Sequence, residues 1–247
     1  MMSFPSFVLS VLCSFFATGI YSQSLVQISG QFSDVKSEPV ILGYYLGSKQ
    51  YAKDTVQADA KGKFMFAYPE LMEQGLYLLY FPNQDNKYVE FFVSDDQQFS
   101  VKGKLSDFVK TAVFNGSTDN TLFYSHMNKL ETFRNKEEKW QAVKARHGVD
   151  GNIDSTKMAD DAIQQNSDAY NVYKEEFFRK KPDSFLTKLM RFSERPVIPE
   201  VLSREEKYYY YKSHFFDGFD WSFTGVLRSP NYQSLLTEYI DNLTVQQ

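Results

Sequence analysis

The densest group of side chains able to do chemistry follows four consecutive tyrosines late in the chain. There His214, Asp217 and Asp220 recur at intervals of three. On a continuous helix this spacing would place an imidazole and two carboxylates on one side, where they could bind a metal ion. Gly218 disfavours a helix that continues so far. The favoured interpretation is therefore a helix end whose aromatic side chains, Trp221 among them, pack a core while an aspartate caps the turn.

The sequence contains no other pattern that points to catalysis. It has no Gly-rich phosphate loop, no G-x-S-x-G and no H-E-x-x-H. His126 and His147 are far apart on one predicted helix and are interpreted as ordinary helix residues. The Asp95-Asp96 pair is interpreted as an exposed turn, although paired carboxylates can flank a glycosidic bond. The polar loop at 83–86 could contact a ligand, but a solvated hairpin tip explains it more simply. We predict no catalytic residue, no cofactor and no metal.

An apolar leader opens the chain. No charged side chain precedes Asp34, and residues 7–20 form an apolar run of signal-peptide length. This run is shorter than the roughly 20 residues needed to cross a bilayer. Small residues follow it, so we expect cleavage between Ser22 and Gln23. The leader predicts export to the periplasm or cell envelope.

The only cysteine, Cys13, lies inside this leader. Two alternatives to simple cleavage stay open: an uncleaved leader that anchors the protein in the membrane, and lipidation of Cys13. The preceding Leu12 disfavours lipidation, since a lipobox has a small residue there. A chain that begins at Gln23 has no thiol, which excludes disulfides, thiolate catalysis and cysteine-based zinc sites.

The composition describes a globular protein that is held together by its core. The mature part, about 225 residues, is long enough for one large or two ordinary domains. The chain has 23 Phe and 17 Tyr, a large supply of apolar area for burial. The formal net charge of −4 argues against non-specific nucleic-acid binding. We predict no membrane span once the leader is removed.

The first half of the chain shows the alternation of β-strands. Apolar residues recur with a period of two, and turn residues separate the runs. Residues 76–81 are apolar on both faces, as expected of a central strand. Gly62, between Lys61 and Lys63, is predicted to take positive φ in a hairpin turn. We predict seven or eight strands in an antiparallel sandwich or barrel.

After residues 115–117 the period changes to that of helices. Asp119 is the predicted N-cap, and apolar side chains then recur at spacings of three and four. Five helices are predicted: from Asp119 to His147, from about Ser155 to Lys181, from Asp183 or Ser184 to Arg191, one capped by Ser203 with Glu206 in a capping box, and from Tyr232 to Leu243. The first stripe could pair across a dimer or within one helical hairpin, so the oligomeric state stays open.

Together these patterns predict a segregated α+β fold: an N-terminal antiparallel β-sandwich or barrel followed by an all-helical region. The predicted organisation is a signal peptide at 1–22, a β domain at 23–117 and a helical domain at 118–247.

The order of short motifs resembles a known family. These motifs are Ile28-Ser29-Gly30, Lys53-Asp54-Thr55-Val56, Gly75-Leu76-Tyr77, Phe114-Asn115-Gly116-Ser117, Lys181-Pro182-Asp183-Ser184, His214-Phe215-Phe216-Asp217 and Leu227-Arg228-Ser229-Pro230. In this order they are similar to the N-terminal β domain and helical segment of envelope thiol–disulfide oxidoreductases of Gram-negative bacteria. Such modules are known chiefly as domains of unknown function, and a thioredoxin-like domain with a Cys-x-x-Cys site follows them.

The resemblance implies a function without catalysis in this stretch of chain, because no Cys-x-x-Cys occurs in it. We expect a cell-envelope module of, or derived from, a thiol–disulfide oxidoreductase, which positions a protein or peptide partner. The alternative is a secreted protein that binds glycans or peptides; a hydrolase with paired carboxylates has no support beyond composition. The residues assigned to a candidate interaction cluster are His214, Asp217, Asp220, Trp221 and Arg228.

Overall fold

The computed structural model describes residues 24–149 and 151–243. The predicted leader and its cleavage site, Ser22 and Gln23, lie outside these residues. Within them the chain forms eight strands, which confirms the predicted number: β1 (Val26–Phe32), β2 (Pro39–Leu46), β3 (Lys49–Gln57), β4 (Lys63–Tyr68), β5 (Gly75–Phe81), β6 (Lys87–Val93), β7 (Gln98–Gly103) and β8 (Val113–Asn115).

The strands form two four-stranded sheets. Sheet A has the order β4-β1-β7-β8 and sheet B the order β3-β2-β5-β6. All neighbours are antiparallel except β1 and β7, which run parallel. Sheet A is therefore mixed, and the predicted antiparallel arrangement holds for the other five pairs of neighbouring strands. The chain passes through sheet B between β4 and β7, and after that crossover β7 enters sheet A in the direction of β1.

The two sheets enclose an inner core of apolar side chains. In β1 the residues buried at every second position include Val26, Ile28 and Phe32, as the alternation predicts. Gly30 continues the series for a steric reason, since a Cβ there would lie 2.1 Å from the end of the Phe64 ring. The turn residue Gly62 has φ of 72°, which confirms its predicted positive φ.

Sheet B is covered on both faces. In β5, Leu79 faces the inner core, whereas Leu76 and Leu78 belong to an outer core under the helices. Phe92 of β6 joins them and stacks on Phe185, with ring centroids 4.5 Å apart. The molecule thus has three layers, sheet A, sheet B and helices, which confirms the α+β class and explains why β5 is apolar on both faces.

Six α-helices and two 3₁₀ segments lie in the described residues. The helices are α1 (Phe108–Thr111), α2 (Thr118–Val149), α3 (Ile153–Lys180), α4 (Phe185–Phe192), α5 (Arg204–His214) and α6 (Pro230–Leu243); the 3₁₀ segments are Leu105–Asp107 and Thr224–Arg228. No helix within the described ranges combines the length and the apolar character that a membrane span needs.

The helix caps agree with the sequence at α4 and α5 but not at α2. Ser184 caps α4, and Ser203 with Glu206 forms the predicted capping box of α5. Asp119 does not cap α2, because Ser117 precedes it and accepts a hydrogen bond from the Asn120 N–H at 3.3 Å. The Asp119 carboxylate instead accepts one from the N–H of Phe185 at 2.9 Å, and so joins the start of α2 to the start of α4.

The two long helices α2 and α3 form a hairpin within one chain. Phe133 of α2 contacts Tyr170 and Tyr173 of α3, with ring centroids 5.6 and 5.9 Å apart. A helix of 32 residues is about 48 Å long. All the buried residues of α2 belong to its first third, which packs against the sheets. The remainder of the hairpin is largely exposed.

Candidate functional site

The predicted interaction cluster begins where α5 ends. His214 is the last residue of this helix, and its Nδ1 lies 2.5 Å from Oδ2 of Asp217 in the following turn. Asp220 bonds locally as well: its Oδ1 accepts hydrogen bonds from the Ser222 N–H at 3.0 Å and from the Ser222 hydroxyl at 2.5 Å. These hydrogen bonds lower the pKa of the Asp220 carboxyl below its ordinary value.

These residues do not converge on a common point. Trp221 is 70 % exposed, although its ring contacts the rings of Phe216 and Phe219. Arg228 stacks over the ring of Tyr44 at 4.5 Å and pairs with Glu73, so it contacts sheet B rather than the end of α5. Among the described residues no three His, Cys, Asp or Glu side chains are placed to hold a metal ion.

A different site lies along the free edge of sheet B. The edge strand β6 would present unpaired main-chain N–H and C=O groups to solvent, and α2 covers half of them. Asn120 accepts a hydrogen bond from the Phe92 N–H at 2.7 Å and donates one to the Phe92 C=O at 2.8 Å. Tyr124 donates its hydroxyl hydrogen to the Glu90 C=O at 2.7 Å. The two side chains occupy the place of a neighbouring strand.

The other half of this edge is open. In an antiparallel pair, residues that bond to the partner alternate with residues whose main-chain groups point away. Since Phe92 and Glu90 point away from β5, Tyr88 does so too. Among the described residues no hydrogen bond reaches the main-chain N–H or C=O of Tyr88.

The open edge forms one wall of a cleft of about 470 Å³. The facing wall comes from the 3₁₀ segment Leu105–Asp107, from α1 and from α2, and it is apolar. Its side chains are Leu105, Phe108, Val109, Phe123, Tyr124 and Met127. The cleft is therefore a slot with main-chain donors and acceptors on one side and aliphatic and aromatic groups on the other.

The cleft continues along α2. A second depression of about 460 Å³ shares Phe108, Val109 and Met127 with the first. Beyond them its rim is charged, and Lys110 pairs with Glu131 at 2.9 Å. The two depressions form one groove that begins at β6 and becomes more polar towards the middle of α2.

Buried tyrosines hold the edge strand that forms one wall of the groove. Burial raises the pKa of the Tyr124 hydroxyl, so this group remains a donor to the Glu90 C=O at any pH near neutral. The carboxylate of Glu90 accepts a hydrogen bond of 2.5 Å from Tyr45. Burial, with a further contribution from Glu90, raises the pKa of Tyr45 as well. Both hydroxyls thus hold the edge strand in place as permanent donors.

Sequence reasoning missed this site. The loop at 83–86 was a weak pointer, because Asp85 and Asn86, both at positive φ, line the cleft. The spacing of Asn120 and Tyr124 does not predict that their side chains bond to a strand about 30 residues earlier. Their positions on the inner face of α2 follow only when sheet B and its edge are known.

Comparison with known protein families finds a match for the N-terminal part of the chain. Residues 26–123 match a family described as a domain of unknown function (DUF4369). This stretch is less than half of the chain; it begins with β1, includes all eight strands and ends early in α2. It includes Asn120 and stops one residue before Tyr124. No curated protein matches the chain.

Proposed function

We propose that this chain is a non-catalytic module that binds extended polypeptide partners in the cell envelope, and that it belongs to, or derives from, a thiol–disulfide oxidoreductase. The observation that carries the binding role is the open edge at Tyr88 beside an apolar wall. An extended peptide can add to an exposed sheet edge through main-chain hydrogen bonds, while pockets accept its alternate side chains.

The groove is suited to polypeptide partners of many different sequences. Main-chain hydrogen bonds are common to all polypeptides except at proline, so the edge does not select side chains. The apolar wall around Phe108 and Met127 adds a preference for segments with a hydrophobic residue. Such residues are exposed in chains that have not finished folding, which are the substrates of an enzyme that makes or reshuffles disulfides.

The clamp formed by Asn120 and Tyr124 limits the length of chain that can pair. With the outward groups of Phe92 and the Glu90 C=O already bonded, an added strand can pair fully only with Tyr88 and the Glu90 N–H. A short pairing gives weak, rapidly reversible binding. A module that presents substrates to a redox partner needs such rapid exchange.

The redox connection is supported by the order of motifs in the sequence, and it is the finer part of the proposal. The match to a domain of unknown function is compatible with it. The chain after Gln23 contains no cysteine and can itself supply no thiolate, so a separate Cys-x-x-Cys domain would do the chemistry.

The binding role is tested with reduced, carboxymethylated lactalbumin, which stays unfolded in solution. We expect saturable binding by fluorescence anisotropy, with native lactalbumin as the comparison that does not bind. Tyr88→Pro removes the outward N–H without loss of a hydrogen bond to β5, and edge strands tolerate proline at such positions. This variant should keep its melting temperature and lose at least tenfold in affinity.

Ala67→Pro is the matched control on the other sheet. The main-chain N–H of Gln27 donates to Gln97, next to β7, so the main-chain groups of the next residue, Ile28, point towards β4 and bond to those of Phe66. The N–H of Ala67, one residue further along the edge strand β4, therefore points outward to solvent. This variant should bind as the wild type does. A second groove variant, Met127→Lys, places a charge on the apolar wall and should also weaken binding. Equal binding by all four proteins would refute the proposal.

The non-catalytic and envelope parts have separate tests. Reduction of insulin disulfides by the purified chain would show that the chain itself is an oxidoreductase. Cell fractionation followed by N-terminal sequencing should find the protein in the periplasm or envelope with Gln23 first. Recovery from the cytoplasm with an intact leader would contradict the proposed location.

A further inference from the structure

A second cleft lies where α2, α3, α4 and α6 meet, and the buried imidazole of His126 lines it. His126 is 4 % exposed, and its Nδ1 lies 2.9 Å from the hydroxyl of Tyr173 on α3. The ring also packs against Phe177, with centroids 5.6 Å apart. These contacts fix the orientation of the imidazole, which has no part in the β6 groove.

The second ring nitrogen of His126, Nε2, is not fully sealed from solvent. Among the described residues Nε2 makes no hydrogen bond. Among all the described residues, four buried side-chain atoms have no hydrogen-bond partner: Ser94 Oγ, Asn166 Oδ1, Arg228 Nη1 and Ser229 Oγ. Since Nε2 is not one of them, it keeps some access to solvent, and the His126 side chain lines the cleft.

The cleft has a volume of about 430 Å³, which is in the range of small-molecule sites. Its other lining residues are Tyr170, Lys174, Leu189, Met190, Ser193, Glu194 and Asn231. Tyrosine, leucine and methionine supply apolar surface. The remaining side chains supply donors and acceptors around it.

The charges of the cleft cancel. Lys174 Nζ lies 2.7 Å from Glu194 Oε1, and this hydrogen bond raises the pKa of Lys174 above its ordinary value. Burial lowers the pKa of His126, so its ring is neutral at neutral pH. An ionic ligand would have to break the Lys174–Glu194 pair or remain unpaired, both of which are costly. The cleft is therefore matched to a neutral ligand.

We propose that the His126 cleft binds one neutral polyhydroxylated ring, such as a single sugar unit. Hydroxyl groups both donate and accept hydrogen bonds, so they can use the imidazole Nε2, the Asn231 amide and the Lys174–Glu194 pair together. The C–H face of the ring can pack on Met190 and the other apolar side chains. This site is independent of the polypeptide groove.

The test uses free glucose, galactose and N-acetylglucosamine, with saturation-transfer NMR and the His126 ring resonances as readouts. For ligands of this size we expect dissociation constants of about 1 mM. At least one sugar should show saturation transfer and shift the His126 resonances. His126→Gln and Asn231→Ala should each weaken binding at least fivefold, and Asn231 is exposed, so its variant should fold normally.

His147→Gln, near the far end of the same helix, is the matched control and should bind as the wild type does. Tyr88→Pro should also bind sugar normally, so the outcome is distinct from that for the polypeptide groove. Absence of saturation transfer for all three sugars, or binding that neither cleft variant weakens, would overturn the proposal.

Discussion

The β-sandwich and the α2–α3 hairpin bury their side chains in very different ways. In the sandwich, strands β1, β2 and β5 place large side chains such as Phe32, Leu42 and Leu79 wholly out of contact with water. In α2 the buried residues are Asn120, Tyr124 and His126, and two of these three are polar. They lie where the hairpin meets the sheets or the other helices. The far half of the hairpin is exposed to solvent and extends from the body of the molecule, which consists of the two sheets and the helices packed on them.

This contrast separates stability from recognition. Apolar burial between the sheets supplies most of the folding free energy, because this term scales with the area removed from water. The polar buried groups of α2 add little net stability, because their hydrogen bonds replace hydrogen bonds to water, although the loss of one partner is costly. Beside them lie groups that can bind a ligand, namely the main chain of Tyr88 and the ring of His126. Both proposed sites lie at this boundary between body and hairpin.

The largest effect should come from the sandwich. Leu79→Ala leaves a cavity in the inner core and should lower the free energy of unfolding by about 2–5 kcal/mol. Val172→Ala, on the exposed side of α3, should change it by less than about 0.5 kcal/mol. Urea denaturation followed by circular dichroism measures both. Similar losses for the two variants would contradict the assignment of stability to the sandwich.

The next largest effect should come from the contact between α2 and the edge strand β6. Asn120→Ala leaves the N–H and C=O of Phe92 without partners in a buried place, so we expect a loss of about 2–3 kcal/mol. Asn135→Ala, on the solvated part of the same helix, should cost less than about 0.5 kcal/mol. Hydrogen exchange of the Phe92 amide should accelerate in the first variant more than that of its neighbours. Unchanged exchange at Phe92 would show that the side chain does not serve as the partner of this strand.

The same contrast explains how much the sequence could predict. Strand positions followed from alternation, because every second side chain of β1 or β4 meets the facing sheet. β3 is largely exposed and β8 has three residues, so neither produces a clear period. The parallel pairing of β1 and β7 depends on a crossover between sheets, which no local pattern records.

Helix caps followed from the sequence where a single candidate was present, as at Ser203 with Glu206. At α2 the sequence indicated Asp119, but Ser117 caps the helix, and the Asp119 carboxylate accepts a hydrogen bond from the distant Phe185 N–H. The clefts could not be predicted, because Tyr88 and Tyr124, or His126 and Tyr173, are brought together only by the packing of the hairpin on the body.

The smallest effect should come from the far part of the hairpin, where Lys144 and Asp160 join α2 and α3 at 2.6 Å. Both side chains are about half exposed, so water and salt screen their attraction. A double-mutant cycle with Lys144→Ala and Asp160→Ala should give a coupling free energy of about 0.2–1 kcal/mol, which high salt should largely abolish. A coupling above about 2 kcal/mol that salt did not reduce would mean that this end of the hairpin is packed as tightly as the sandwich, and the distinction between body and extension would fail.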